Sequence, residues 1–242
     1  MERLRLMAGH HTILIMAGLL GLALVWLLAS GQAWALAWVP LGVLAQMGNE
    51  YTLHRFVFHM RPPRRQWAFD LLYQAHYGHH DFPTCRGLFF VPTWVALPML
   101  AGNTLILWAA LSLVGLGTAL PVAVSVVCVG GVATFLGYEW FHMTAHLPIA
   151  KTAVERHVTT LHNQHHFRDF SKWFHVSPGG EVIDRIIGTA IDREALKGAQ
   201  RIEFIRTLGM RPDDARLMRA RARFAPRLGL SAEDIKRAAK GA

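Results

Sequence analysis

Residues 6–49 read LMAGHHTILIMAGLLGLALVWLLASGQAWALAWVPLGVLAQMGN, and no Asp, Glu, Lys or Arg interrupts them. Residues 87–138 form a second stretch with none. Each is about twice the roughly 20 residues that an α-helix needs to cross a bilayer. Both stretches break near the middle, at Ser30–Gln32 and at Gly117-Thr118, so each reads as a hairpin of two membrane helices. Spans are expected at about 12–29, 33–53, 94–114 and 119–141. The expected fold class is therefore all-α and integral to a membrane, with four transmembrane helices in two hairpins. Pro40 falls within the second span, where a proline reads as a kink. Gly130, Gly131 and Gly137 are expected to let helices approach closely.

The remaining composition fits that frame. Apolar residues make up 52% of the 242 residues and charged residues 17%, with a formal net charge of +9. A charge of that size could mean nucleic acid, but its layout argues against it. Arg3 and Arg5 precede the first hairpin, Arg61, Arg64, Arg65 and Arg86 lie between the two, and the other basic residues follow the second. The hairpin tips carry none. Lys and Arg accumulate on the cytoplasmic side of membrane proteins, so both termini and the central loop are expected there, beside anionic headgroups. A bacterial inner membrane is the expected setting. Cys85 and Cys128 are too few and too far apart for a disulfide framework or a thiolate metal site. The N-terminal apolar run continues into a second span and so does not read as a cleaved signal.

Outside the hairpins, Gln66 to about His80 reads as a helix, Val182–Ile191 as a short amphipathic one, and Ser231 with Asp234 as a capping box for a last helix. Residues 1–191 are expected to form the membrane-embedded domain and 192–242 a basic helical extension.

Ten of the 14 histidines fall into four clusters at the ends of spans or in the segments on the basic side. They are His54 and His59; His76, His79 and His80; His142 and His146; and His162, His165 and His166. Residues three and four apart share a helix face, so each triplet is expected to aim at one region. His54 and His59, five apart, either serve one metal each or need a local distortion. Ten imidazoles exceed the needs of one ion, and two ions with about five ligands each would use them all. Imidazole suits Fe, Cu, Ni and Zn. A metal-bound imidazole usually donates its other N–H to a carboxylate or carbonyl. Glu50, Asp81 and Glu139 are candidates for that role, and His157 is a further outer candidate. Metal transport would place ionisable ligands at mid-membrane, whereas these histidines lie outside the uncharged spans. A scaffold with structural zinc is the other non-enzymatic reading.

The pattern resembles the fatty acid hydroxylase superfamily, the sterol desaturase-like membrane oxygenases. The matching segments are Glu-Tyr-Thr-Leu-His-Arg-Phe-Val-Phe-His (50–59), His-Tyr-Gly-His-His-Asp-Phe-Pro (76–83), Phe-His-Met-Thr-Ala-His (141–146) and His-Asn-Gln-His-His-Phe (162–167). They resemble that family's HxxxxH, HxxHH, HxxxH and HxxHH boxes in order, and Val-Ser-Pro (176–178) and Asp-Arg-Ile-Ile-Gly-Thr (184–189) resemble its closing motif. The branch most similar contains fatty-acid and ceramide 2-hydroxylases. The resemblance implies a cytosolic helical cap holding a dimetal site on the ten histidines, with two iron ions at work and zinc able to occupy the same places. Zinc has no redox states and would not activate oxygen. It further implies O2 as cosubstrate, a membrane lipid acyl chain as substrate, and no catalytic residue beyond the metal ligands. With no cytochrome b5 domain attached, electrons are expected from a separate cytochrome b5-, ferredoxin- or reductase-like donor. Desaturation, or sterol or carotenoid hydroxylation, would use the same centre. Where the family often has a small residue this chain has His175, expected to alter the substrate pocket.

Overall fold

The computed structural model describes residues 2–240, and every regular element among them is helical. Residues up to Ala190 form one compact unit and those from Ile191 a second. In the first unit α1 (Glu2–Ala8) leads into α2 (His11–Ala29), an unbroken apolar rod. It ends where Gly31 takes a left-handed conformation (φ +70°) and the Gln32 amide donates back to the Leu27 carbonyl at 2.7 Å. A residue without Cβ meets that requirement at little steric cost.

The return leg is not one helix. A 3₁₀ segment, Ala33–Trp38, precedes α3 (Val39–Leu53), so Pro40 sits in the first turn of α3. Its missing N–H is not needed there, and it starts a helix where a kink was expected. Next come α4 (Gln66–Leu72) and α5 (Gly78–Asp81), joined by a π-helical turn at Tyr73–Tyr77. Then α6 (Thr93–Leu113) descends, and α7 (Ala119–Ala123), a π-helical stretch Val124–Gly131 and α8 (Val132–His146) return. Among the described residues three helical stretches are long and apolar enough to cross a membrane: His11–Ala29, Arg86–Leu113 and Ala119–His146. The expected span at 33–53 is divided between two helix types.

The tightest crossing is backbone on backbone. A Cβ on Gly130 would lie 2.4 Å from the Val39 carbonyl oxygen, and one on Gly42 would lie 2.0 Å from that of Val126. Gly130 therefore serves close approach as expected, with Gly42 as its partner. Gly137 faces open space, and Gly131 has only ordinary contact with its own helix. Gly130→Ala is expected to force α3 away from the 124–131 stretch, at a cost of about 1–3 kcal/mol. Thermal unfolding in detergent would show it as a midpoint lower by several degrees, with Gly137→Ala unchanged.

The first unit closes with α9 (Ala153–Phe167) and α10 (Glu181–Ile187). Thr152 and Glu155 form a capping box that starts α9, and Glu155 also receives Trp140 Nε1 from α8 and the Arg3 guanidinium from α1. Helix α10 ends four residues before its expected limit, because Gly188 turns left-handed (φ +80°). The second unit holds α11 (Arg193–Thr207), α12 (Ala215–Leu228) and α13 (Ala232–Lys240), opened by Asp192, Asp214 and the expected Ser231–Asp234 capping box. Both cysteines are free thiols.

Candidate metal centre

The ten clustered histidines assemble into two groups of five. One holds His54, His59, His76, His80 and His165, the other His79, His142, His146, His162 and His166. Within each group the ring nitrogens on offer lie within 4.8 Å of one another.

The local backbone explains the grouping. His54 and His59 meet because residues 54–58 form a π-helical turn, closed by the His59 amide donating to the His54 carbonyl five residues back (3.0 Å). That wider turn brings residues five apart to one side; of the two alternatives left open for this pair, the distortion is the one adopted. Each triplet, expected to aim at one region, is divided. His76 and His80 join the first group and His79 the second, while His162 and His166 join the second and His165 the first. On a helix the residue at i+4 falls to one side of residue i and the residue at i+3 to the other. Each triplet therefore straddles both groups, and His80 stacks on His166 across them with centroids 4.1 Å apart.

Main-chain carbonyls orient the rings. His54 Nδ1 donates to the Phe174 oxygen (2.5 Å), His165 Nδ1 to Lys172 (2.6 Å) and His142 Nδ1 to Phe89 (2.7 Å). Each such bond fixes the tautomer that leaves Nε2 with a free lone pair. The buried Nε2 atoms of His54 and His165 have no partner in the protein. Elsewhere Nε2 faces Nε2, at 3.1 Å for His59–His76, 2.9 Å for His76–His80 and His79–His142, and 2.8 Å for His146–His162. Imidazoles bound to one ion at about 2.1 Å hold adjacent nitrogens about 3 Å apart. Each donor set therefore fits a metal ion.

The carboxylates stand one step further out than expected. Glu50 accepts from the Val176 and Ser177 amides and the Ser177 hydroxyl, and Glu139 from the Val91 amide. Neither touches an imidazole of the two groups; each fixes the backbone near a carbonyl that does. Asp81 is exposed and accepts from the Tyr73 hydroxyl (2.8 Å), which turns it from the site, and His157 is exposed and pairs with Glu181 (3.0 Å). Asp184 was not among the expected site residues. Fully buried, it accepts from the amides of Phe174 and His175, from His175 Nδ1 (2.7 Å) and from the Thr189 hydroxyl (2.7 Å). Its only sequence signal was its place in the closing motif.

His175, expected to alter a substrate pocket, makes its contacts within the fold. Its ring is held between Asp184 and the Met47 carbonyl (3.0 Å), in space left by Gly180. Burial alone would lower its pKa, but the hydrogen bond to Asp184 and the charges of Glu50 and Asp184 raise it. The same bond helps hold the Asp184 carboxyl below its ordinary value against burial.

Burial, reinforced by neighbouring rings, does the opposite to the grouped histidines. His59 is pushed down to about 3, and His54 and His76 well below the ordinary value. Burial also brings His165 to about 4, against the hydrogen bond to Lys172. These rings are neutral at physiological pH, as ligation requires. In the unfolded chain they protonate near 6.5, so below that pH the unfolded state binds more protons and folding stability falls. His175, shifted the other way, contributes stability below 6.5 and loses it as pH rises through its folded value, but it is one ring against several. The metal-free protein is expected to unfold at a lower temperature at pH 5 than at pH 7, each depressed ring costing about 1.4 kcal/mol per pH unit in that window. Equal midpoints in chelator-treated samples would contradict this.

A narrow apolar cleft runs from this centre between α2, α3, α6 and α8. Glu50, His54 and Phe58 border it, as do Val95, Leu100 and Phe135.

The family description "Fatty acid hydroxylase" matches residues 39–189, which include all ten histidines and Asp184. The chain belongs to the fatty acid hydroxylase family. Among its relatives in that family, the dihydroceramide fatty acyl 2-hydroxylase FAH2 of Arabidopsis thaliana is 30% identical over 152 residues, covering 62% of this chain and 59% of that protein. The dihydroceramide fatty acyl 2-hydroxylase FAH1 of the same plant is 27% identical over 152 residues, with the same shares. The chain thus spans about three-fifths of the length of these curated relatives. A solved structure titled full-length scs7p, with only the hydroxylase domain visible, shares the fold. Its TM-score is 0.60 at 23% identity, over 74% of this chain and 63% of that one.

Proposed function

We propose that this member of the fatty acid hydroxylase family converts a C–H bond of a membrane lipid acyl chain to C–OH with O2, using two iron ions and electrons from a separate donor. One observation carries the reading: His54 belongs at once to an imidazole group and to the wall of the apolar cleft. A chain lying in that cleft passes beside the first group. The relatives' printed names, fatty acyl 2-hydroxylases, favour hydroxylation over desaturation.

His54, His59, His76, His80 and His165 would hold one ion, and His79, His142, His146, His162 and His166 the other. Such a pair supplies, when bound, the redox chemistry that couples O2 reduction to C–H oxidation. The protein's part is positional. The carbonyls of Phe89, Lys172 and Phe174 keep Nε2 turned inward on three rings, and Glu50, Glu139 and Asp184 hold the segments that carry those carbonyls. The apolar walls bind the alkyl chain by contact area and exclude bulk water. We further propose four spans, with the divided 33–53 leg as the second, and with both termini and the histidines on the cytoplasmic side. The arginines of the connecting loop and the uncharged hairpin tips support that orientation.

Iron-loaded protein, supplied with reductant and isotopically labelled O2, should place the label in the acyl chain of an added lipid; zinc-loaded protein should not. Unlabelled lipid under those conditions, together with metal flux into proteoliposomes, would replace the reading with transport.

A further inference from the structure

The apolar cleft carries two carboxamides that nothing in the fold satisfies. Gln46 lies two turns before His54 on α3, on the stripe that also brings Glu50 and Leu53 to the cleft. Asn103 ends the corresponding stripe of α6, after Val95, Ala96, Met99 and Leu100. At a rise of 1.5 Å per residue, Gln46 stands roughly 12 Å along its helix from His54 and Asn103 roughly 15 Å from the start of α6. That start follows the segment tied to the histidine centre through Phe89 and Val91. Both amides therefore lie well away from the imidazoles, on different helices that line one cleft.

Among the described residues neither amide has a hydrogen-bond partner in the protein, and both are half-buried. Helix α6 lies within one of the stretches apolar enough to cross a membrane, where no bulk water is at hand to satisfy an amide and polar side chains commonly mark a ligand path. Lipid tails offer no partner either. A carboxamide presents two N–H donors and a carbonyl acceptor, and a hydroxyl can use both kinds of group together. The charged side chains of the lining, Glu50 and His54, belong to the histidine end, so the far end offers no counter-ion to a charged ligand.

We propose that Gln46 and Asn103 form a polar subsite for an uncharged oxygen function, a hydroxyl or a carbonyl, carried part-way along the acyl chain of the substrate. The proposal deepens the hydroxylase reading and rests on it for the identity of the cleft's ligand. The preferred substrate is then an acyl chain that already bears an oxygen substituent at mid-chain, so an earlier oxidation or hydration of the chain must supply it.

The test separates binding from turnover. Full-length protein loaded with redox-inert zinc is titrated with stearic acid and with its mid-chain hydroxy derivative, each displacing a fluorescent fatty acid. The hydroxy acid is expected to displace the probe at about tenfold lower concentration, the scale of one to two net hydrogen bonds. In the Gln46→Leu/Asn103→Leu double variant that ratio should fall to about one, with zinc content unchanged. Equal displacement by the two acids in the parent protein overturns the subsite, as does a preference that survives in the double variant. If the double variant does not fold, Asn103→Leu and Gln46→Leu singly, and the parent ratio itself, decide the matter. Turnover of both acids by iron-loaded protein is measured apart: absence of product from both removes the hydroxylase reading while the displacement ratio still judges the subsite.

Discussion

Alanine at His76 is expected to lower oxygen-dependent turnover by more than about 100-fold and to leave the protein with fewer than two bound ions per chain. The buried His76 Nε2 lies between those of His59 (3.1 Å) and His80 (2.9 Å), so its loss opens the middle of the first group. The donors of the second group, His79, His142, His146, His162 and His166, are untouched by the change. Metal analysis after iron reconstitution should therefore find the remaining ion with those five. The ring also stacks on Phe58 (5.1 Å) at the cleft wall, so chain binding should weaken alongside. Two ions and parental turnover in His76→Ala would remove that ring from the metal centre.

Asp184→Asn should lose metal from the first group while keeping it in the second. The residues between His165 and α10 form a strap, and two of its carbonyls, Lys172 and Phe174, orient His165 and His54. Asp184 fixes the strap through the amides of Phe174 and His175, and Glu50 fixes it through those of Val176 and Ser177. The second group draws its carbonyl from Phe89 instead. Asn at this position weakens the acceptor that holds the buried His175 Nδ1–H, and a buried donor left poorly satisfied costs about 1–3 kcal/mol. Loss of an outer partner lowers metal affinity by about 10–100-fold. Chelator competition should show one weakened ion and one parental ion. If that variant fails to fold, Thr189→Val, which removes one bond to the Asp184 carboxylate and one to its main-chain carbonyl, should produce the same asymmetry more mildly. Equal weakening of both ions would assign Asp184 a general role in folding.

The sequence made the framework legible because charge is so costly in hydrocarbon. Two runs free of Asp, Glu, Lys and Arg marked the long apolar helices, and the spacing of the histidines marked the rings that gather into two groups. What escaped depends on main-chain geometry. Neither the π-helical turn at 54–58 nor the division of each triplet between two groups is written in residue type, since both follow from turn width and helix phase. Gly42 went unnoticed because its partner, Gly130, lies far along the chain, and Pro40 was misread because the helix begins at Val39 rather than before it. Glu50 and Glu139, candidates for direct bonds to the imidazoles, accept from main-chain amides instead. The carbonyls they support belong to Phe89, Lys172 and Phe174, whose side chains say nothing of that duty.

Those three carbonyls also determine what kinds of change this protein can survive. Any residue supplies the same oxygen, so half-buried Lys172 can change without losing its acceptor, whereas the buried rings of Phe89 and Phe174 also pack against His146 and against His54 and His165. A one-residue insertion or deletion between His166 and Ser177 is another matter, for it moves two acceptors out of reach together. Along that stretch, the spacing of the acceptors constrains the site through two rings at once.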